Sequence, residues 1–162
     1  MNMQYGNLKT TSVEILREPK DEILRAIAKK HGHIADKVFR GLKNTIQRAQ
    51  SYTGYFCVIL RYDNNDVIGC ANFIQNSKDS TQWFYTDLWV APEYRRCGKA
   101  KDMIIVGCNH LSDIGAKTLL CTVDPNNEPS IRTQLSLGFK KIKTEPFEFF
   151  EPYDLLMFIK EL

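Results

Sequence analysis

No apolar run in this 162-residue sequence is long enough to cross a bilayer; the longest, Phe56 to Leu60 and Leu155 to Ile159, fall far short of roughly 20 residues. A membrane-spanning helix is therefore excluded. The opening stretch, Met1 to Thr10, has no apolar signal core, so a cytoplasmic protein is expected. The five cysteines are odd in number and contain no Cys-x-x-Cys, which removes a disulfide framework from consideration. His31, His33 and His110 have no cysteine partners at zinc spacing, so no metal is expected. Repeats, low-complexity tracts and an interdomain linker are also missing. A net charge of +3 is too small to argue for nucleic acid.

What remains is an ordinary soluble composition, 43% hydrophobic and 25% charged, at a length that suits one domain over residues 1–162. Its charge is unevenly spread. Residues 1–50 carry ten basic and five acidic side chains, whereas residues 145–162 carry five acidic and one basic. The N-terminal cations lie all around the predicted helices and lack an aromatic stacking platform, which disfavours a nucleic-acid partner. Cys57, Cys70 and Cys121 sit in apolar strand-like runs and read as buried free thiols.

Periodicity then orders the chain. Ser12 to Arg17 alternates like a strand, and Pro19 with Asp21 and Glu22 starts a helix through Ile23, Leu24, Ile27 and Ala28. Gly32 ends it. A second helix is predicted over Ile34 to Gln50, with Ile34, Val38, Leu42, Thr45 and Ile46 in one stripe. Tyr55–Tyr62 and Val67–Gln75 flank Asp63-Asn64-Asn65-Asp66, the composition of a hairpin turn, and Trp83–Val90 completes an antiparallel meander. A long helix, Lys99 to Ile114, stops at Gly115. Lys117–Val123 has three apolar residues in a row, as a strand covered on both faces requires. A short helix, Pro129 to Leu137, and two strands, Phe139–Ile142 and Leu155–Ile159, close the chain.

The junction from Val90 to Ala100, Val-Ala-Pro-Glu-Tyr-Arg-Arg-Cys-Gly-Lys-Ala, joins the third meander strand to the long helix. A helix start presents backbone N–H groups without intrahelical partners and carries partial positive charge, so it suits a phosphate. Arg95, Arg96, Lys99 and Lys101 add to that charge. Gly98 permits close approach of backbone and ligand, and Ala100 keeps the next contact small. Cys97 lies in the same turn, where helix N–H groups and arginines favour a thiolate.

Taken with this turn, the element order resembles the GCN5-related N-acetyltransferase (GNAT) family. The family's acetyl-CoA motif, Arg/Gln-x-x-Gly-x-Gly/Ala, is matched by Arg95, Gly98 and Ala100; a second motif by Asn127, Ser130, Gly138 and Phe139, at the usual separation. The resemblance is clear over Trp83 to Ile142. It implies an α+β fold, an α/β/α sandwich around a mixed, mostly antiparallel sheet of about seven strands with about four helices. It also implies acetyl-CoA as co-substrate and a small-molecule amine acceptor; a homodimer is left open.

Carried over by position, the resemblance gives Leu88, Trp89 and Val90 backbone pairing with the pantetheine arm. Arg95, Arg96, Cys97, Gly98, Lys99, Ala100 and Lys101 would wrap the pyrophosphate, and Asn127 would bond the pantetheine chain or, alternatively, only cap the short helix. Asp87 is the best-placed carboxylate to deprotonate an ammonium acceptor, with a plain surface aspartate as the alternative. Many family members carry a tyrosine as thiolate acid where this sequence has Gln134, and an amide cannot deliver a proton at neutral pH. Water, or Tyr85, Tyr94 or Tyr153, would then serve. The departure leaves two readings open: an N-acetyltransferase, or a non-catalytic acyl-CoA-binding or regulatory module. The acidic and aromatic segment Glu145 to Asp154, with Glu148, Glu151 and Tyr153, and the early loop at His31 would border the acceptor and favour a small cationic amine. The alternative for that segment is a rigid loop with solvated carboxylates.

Overall fold

Apolar spacing decides which face of the sheet each helix covers. The computed structural model describes residues 10–52, 54–63, 65–142 and 155–162. Helix α1 (Asp21–Lys29) follows Pro19, has Asp21 and Glu22 in its first turn to complement the helix dipole, and buries Leu24, Ile27 and Ala28 one turn apart. Helix α2 (Ala35–Tyr52) buries Leu42, Ile46 and Ala49. The predicted start of its stripe, Ile34, is instead 42% exposed, because Gly32–Ile34 forms a separate 3₁₀ turn. That turn swings Ile34 off the helical face.

Seven strands are described: β1 (Thr11–Leu16), β2 (Tyr55–Tyr62), β3 (Asp66–Gln75), β4 (Gln82–Val90), β5 (Thr118–Val123), β6 (Lys140–Ile142) and β7 (Leu156–Glu161). They form one sheet in the order β1-β2-β3-β4-β5-β7-β6, antiparallel except for β4 with β5. A parallel neighbour requires a crossover, and helix α3 (Lys99–Asp113) supplies it. Helix α4 (Glu128–Ser136) connects β5 to β6. The meander, the mixed sheet and the four helices agree with the fold expected from the sequence.

Alternation along β2 sends Phe56, Val58 and Leu60 into the cluster holding Met103, Ile104 and Leu111 of α3, whereas Cys57 and Ile59 meet Leu24, Ile27, Leu42 and Ile46 of α1 and α2. The sheet is thus a middle layer, with α1 and α2 on one face and α3 on the other. Ile131 and Leu137, at α4, join the α3 side. In β5, Leu119, Leu120 and Cys121 are all buried, as their apolar run predicted. Cys57, Cys70 and Cys121 are buried free thiols, and so is Cys108 on α3.

One close contact sets α3 on β3, and a bulge sets how β4 runs beside it. A Cβ at Gly107 of α3 would stand 2.2 Å from Cζ of Phe73, so the helix lies directly on that ring. Between the pairs Cys70↔Trp89 and Asn72↔Thr86 the register shifts, giving β4 one extra residue. Asp87, inside this bulge, takes a left-handed φ of 56°, a region that aspartate tolerates better than most side chains.

Candidate active site

The pairing of β4 with β5 covers only Gln82↔Thr118, Trp83↔Leu119 and Phe84↔Leu120, although β4 continues to Val90. Beyond Phe84 the two strands part, because β5 stays paired with β7 through Val123↔Leu156 while β4 follows β3. A gap therefore opens in the middle of the sheet. The N–H of Ala91 donates to Ile68 O on β3 at 2.7 Å, so the alternation of a strand turns the N–H groups of Leu88 and Val90 toward the gap. Trp89 faces the other way, and its carbonyl lies beside Gly69 on β3. Of the three residues expected to pair with a pantetheine arm, only Leu88 and Val90 thus offer main chain to the gap.

At the end of β4, a 3₁₀ turn (Pro92–Tyr94) leads into Arg95, Arg96, Cys97 and Gly98, all exposed. Arg96 (φ 60°) and Gly98 (φ 75°) are both left-handed, which curls the chain into a compact turn. A Cβ on Gly98 would meet nothing within 4 Å, so its glycine is required for that backbone conformation rather than for room within the protein. Gly98 is also the N-cap of α3 and supplies no side-chain cap, so the first N–H groups of the helix, at Lys99, Ala100 and Lys101, face the turn. Arg95 Nε donates to Val90 O at 2.8 Å and ties the turn to the strand end. Lys99 is directed elsewhere: its ammonium donates to Thr11 Oγ1 at 2.8 Å and lies 3.6 Å from Asp102. The exposed positive charge of the turn itself therefore rests on Arg95 and Arg96.

On the α1–α2 side, Asp87 Oδ2 accepts from Asn72 Nδ2 at 2.9 Å, and Asn72 Oδ1 accepts from the Tyr55 hydroxyl at 2.6 Å. Asn72 is 3% exposed, whereas Asp87 keeps contact with solvent. The carboxylate thus sits in an open but crowded recess. Desolvation by that crowding raises its pKa above the ordinary carboxylate value, and the bond from Asn72 opposes the rise. Burial likewise pushes the Tyr55 phenol well above its usual value. Asn72 and Tyr55 were not singled out from the sequence. The available signal was a lone amide at a core-facing position of β3, between Cys70 and Ile74 on the same face.

Beside this chain, the ring of His31 lies 4.7 Å from that of Trp89. Its Nδ1 is 3.0 Å from Ile27 O, and since a carbonyl only accepts, Nδ1 carries the proton there. The other expected acceptor residues, Glu148, Glu151 and Tyr153, lie outside the described residues.

Across the gap, on the α4 side, Asn127 caps its helix: Oδ1 accepts from Ser130 N at 3.2 Å. Gln134 is 1% exposed, and neither its Oε1 nor its Nε2 has a hydrogen-bond partner among the described residues; the Tyr85 hydroxyl is similarly buried and unbonded. Burial raises the Tyr85 phenol well above its usual pKa, with Cys121 adding to the rise and Gln134 opposing it. Gln134 therefore lies close to Tyr85 without forming a bond of ordinary geometry. Of the other tyrosines considered as acids, Tyr94 packs against Tyr62 at 5.2 Å, and Tyr153 is outside the described residues.

The acetyltransferase (GNAT) family model matches residues 20–139. Among solved structures, the PaiA N-acetyltransferase of Thermoplasma acidophilum, in complex with coenzyme A, is 16% identical, with 93% of this chain and 99% of that chain covered at a TM-score of 0.69. YncA of Salmonella typhimurium, with its cofactor acetyl-CoA, is 16% identical over 93% of each chain at a TM-score of 0.66. An N-acetyltransferase from Staphylococcus aureus Mu50 is 20% identical, covering 93% of this chain and 98% of that chain at 0.65. No curated protein sequence is significantly similar. At these identities the structures speak for the fold, and the family match, which takes in the split between β4 and β5, the basic turn and Gln134, speaks for descent: the chain belongs to the acetyltransferase (GNAT) family.

Proposed function

We propose that the protein transfers an acetyl group from acetyl-CoA to a primary amine, with a small cationic amine as acceptor. The observation that carries this reading is the gap between β4 and β5, bounded by strand N–H groups, a basic turn and a carboxylate. Its residues fit the donor. The N–H groups of Leu88 and Val90 match an amide-bearing arm laid along β4 as an added strand. Arg95, Arg96 and the first N–H groups of α3 suit a pyrophosphate, and the buried, unbonded amide of Gln134 marks a polar position beside the gap.

Acetyl-CoA supplies the acyl group already activated as a thioester. The chain's own residues do the remainder. Asp87, on the α1–α2 side, takes one proton from the acceptor ammonium; the neutral nitrogen forms the new C–N bond as the C–S bond breaks, and sulfur leaves with the bonding pair. A strand N–H at the gap stabilises the charge that develops on the carbonyl oxygen. Gln134 donates a hydrogen bond toward the departing sulfur and gives up no proton, so water protonates the thiolate and takes up the second proton of the acylated nitrogen. One ammonium and one thioester thus yield an amide, a thiol and one proton.

The cationic acceptor is supported by the Asp87 carboxylate and by the His31 and Trp89 rings on that face, a combination that attracts an ammonium. The test is thiol release from acetyl-CoA across a panel of polyamines, aminoglycosides and anionic amino acids. Turnover favouring the cations is expected; comparable turnover of anionic amino acids removes the acceptor assignment. A second reading, a non-catalytic acyl-CoA-binding module, is favoured by the amide at position 134. CoA binding without thiol release from any amine would establish it.

A further inference from the structure

The three residues Tyr55, Asn72 and Asp87 come from three adjacent strands, and their hydrogen-bonding roles constrain one another. An ionised carboxylate only accepts, so the group facing Asp87 Oδ2 at 2.9 Å must be the NH₂ of Asn72. The amide oxygen then points the other way, where it needs a donor in the sheet interior. The Tyr55 hydroxyl stands there at 2.6 Å. Were the Asn72 amide turned over, its oxygen would face the carboxylate oxygen and the bond to Asp87 would be lost.

The backbone serves the same end. The β4 bulge rotates Asp87 to φ 56°, out of strand alternation, and brings its carboxylate over Asn72. Cys70 contributes a weak contact from its thiol to Asp87 O at 3.6 Å. The titratable groups nearby are Tyr55 and Cys57 of β2 and Cys70 of β3, all held neutral by burial, and His31 beyond Trp89. Among the described residues, Asn72 is therefore the one side chain that donates to the carboxylate.

We propose that Asn72, locked in one amide orientation by Tyr55, is the positioning residue that keeps Asp87 ionised and aimed to receive the acceptor's proton. This deepens, and rests on, the acetyltransferase reading. Tyr55 acts only through Asn72. Asp87 Oδ1, which no described residue bonds, is the oxygen left to receive the acceptor's proton.

The test follows the side-chain carbon resonance of Asp87 with pH in the ligand-free protein, alongside the pH profile of kcat/KM. Tyr55→Phe keeps the ring and frees the Asn72 amide to turn over, so the Asp87 midpoint moves up. On the acid side of the profile kcat/KM falls about tenfold, the equivalent of one pH unit, and it recovers at high pH with the KM for acetyl-CoA unchanged. Asn72→Ala moves the midpoint in the same direction, and Tyr55→Phe adds nothing on that background. An unmoved midpoint in Tyr55→Phe, or a full additional effect on Asn72→Ala, overturns the proposal. Should Asn72→Ala not fold, the Tyr55→Phe titration decides alone. Because the resonance is read without acetyl-CoA or amine, wild-type turnover with an unmoved midpoint refutes the positioning chain only, whereas absent turnover refutes the acetyltransferase reading.

Discussion

Replacing Gly107 with alanine sets two effects of opposite sign against each other at one atom. Position 107 is interior to α3, where alanine is favoured over glycine by about 1 kcal/mol on helix propensity. The new Cβ, however, would stand 2.2, 2.5 and 2.9 Å from Cζ, Cε1 and Cε2 of Phe73. Relief requires more than an ångström of movement, and the ring has nowhere to go: it is fully buried, stacked on Phe56 at 4.8 Å with 4° between the planes, and flanked by Tyr85 at 5.8 Å. Overpacking of this kind costs about 3 kcal/mol, the upper end of the usual range, so propensity offsets only part and the net loss is about 2 kcal/mol. For a chain of this length that lowers Tm by about 4–8 °C. Thermal unfolding followed by circular dichroism measures it, and an unchanged or raised Tm would refute the packing argument. A double-mutant cycle sharpens the test: on a Phe73→Leu background the contact is gone, so Gly107→Ala becomes neutral or stabilising.

Further outcomes are expected at two residues, Asp87 and Cys97. Asp87→Asn keeps the size and the tolerance for a left-handed φ but cannot take the proton, so kcat falls about 10²–10⁴-fold while CoA affinity holds. The same variant is expected to melt no lower than wild type at neutral pH. A carboxyl whose folded-state pKa is raised contributes stability that is fully present below its unfolded pKa and is lost as pH rises through the folded pKa, and the desolvation at Asp87 is of that sign. A lower Tm for Asp87→Asn at neutral pH would contradict the assigned cause. Iodoacetamide at neutral pH should label Cys97 alone, since Cys57 and Cys121 are pushed up to about 12 and Cys108 to about 11, and Cys70 is buried and raised as well. CoA should slow that labelling; a second rapid adduct, or no protection, counts against the geometry of the turn.

How far a feature was legible depended on the range of the interaction that makes it. Tyr55–Tyr62 was read to the residue, because alternation and a turn composition are local signals. The basic turn and Asn127 were legible through fixed spacing, and both meet the chemistry expected of a helix start. Ile34 failed because a 3₁₀ turn breaks helical phase without changing composition. The orientation of Trp89 toward β3, and the diversion of Lys99 to Thr11, depend on which strand lies alongside, which no local pattern records. Tyr55, Asn72 and Asp87 are far apart in sequence and meet only through β2–β3–β4 register and a bulge.

The three-residue ladder between β4 and β5 is the only strand-to-strand hydrogen bonding that joins β1–β4 to β5–β7 among the described residues. Mechanically the sheet is two leaves held by a short hinge-side seam, with the rest of the seam open. A molecule that lies in the opening and bonds to the free edge of β4 acts as a removable rivet, so occupancy and cooperativity become one property. At 100 times its Kd such a ligand adds about 2.7 kcal/mol to unfolding. It follows that a substitution at the closed end of the seam, far from any reacting atom, will be felt first as weakened grip at the open end.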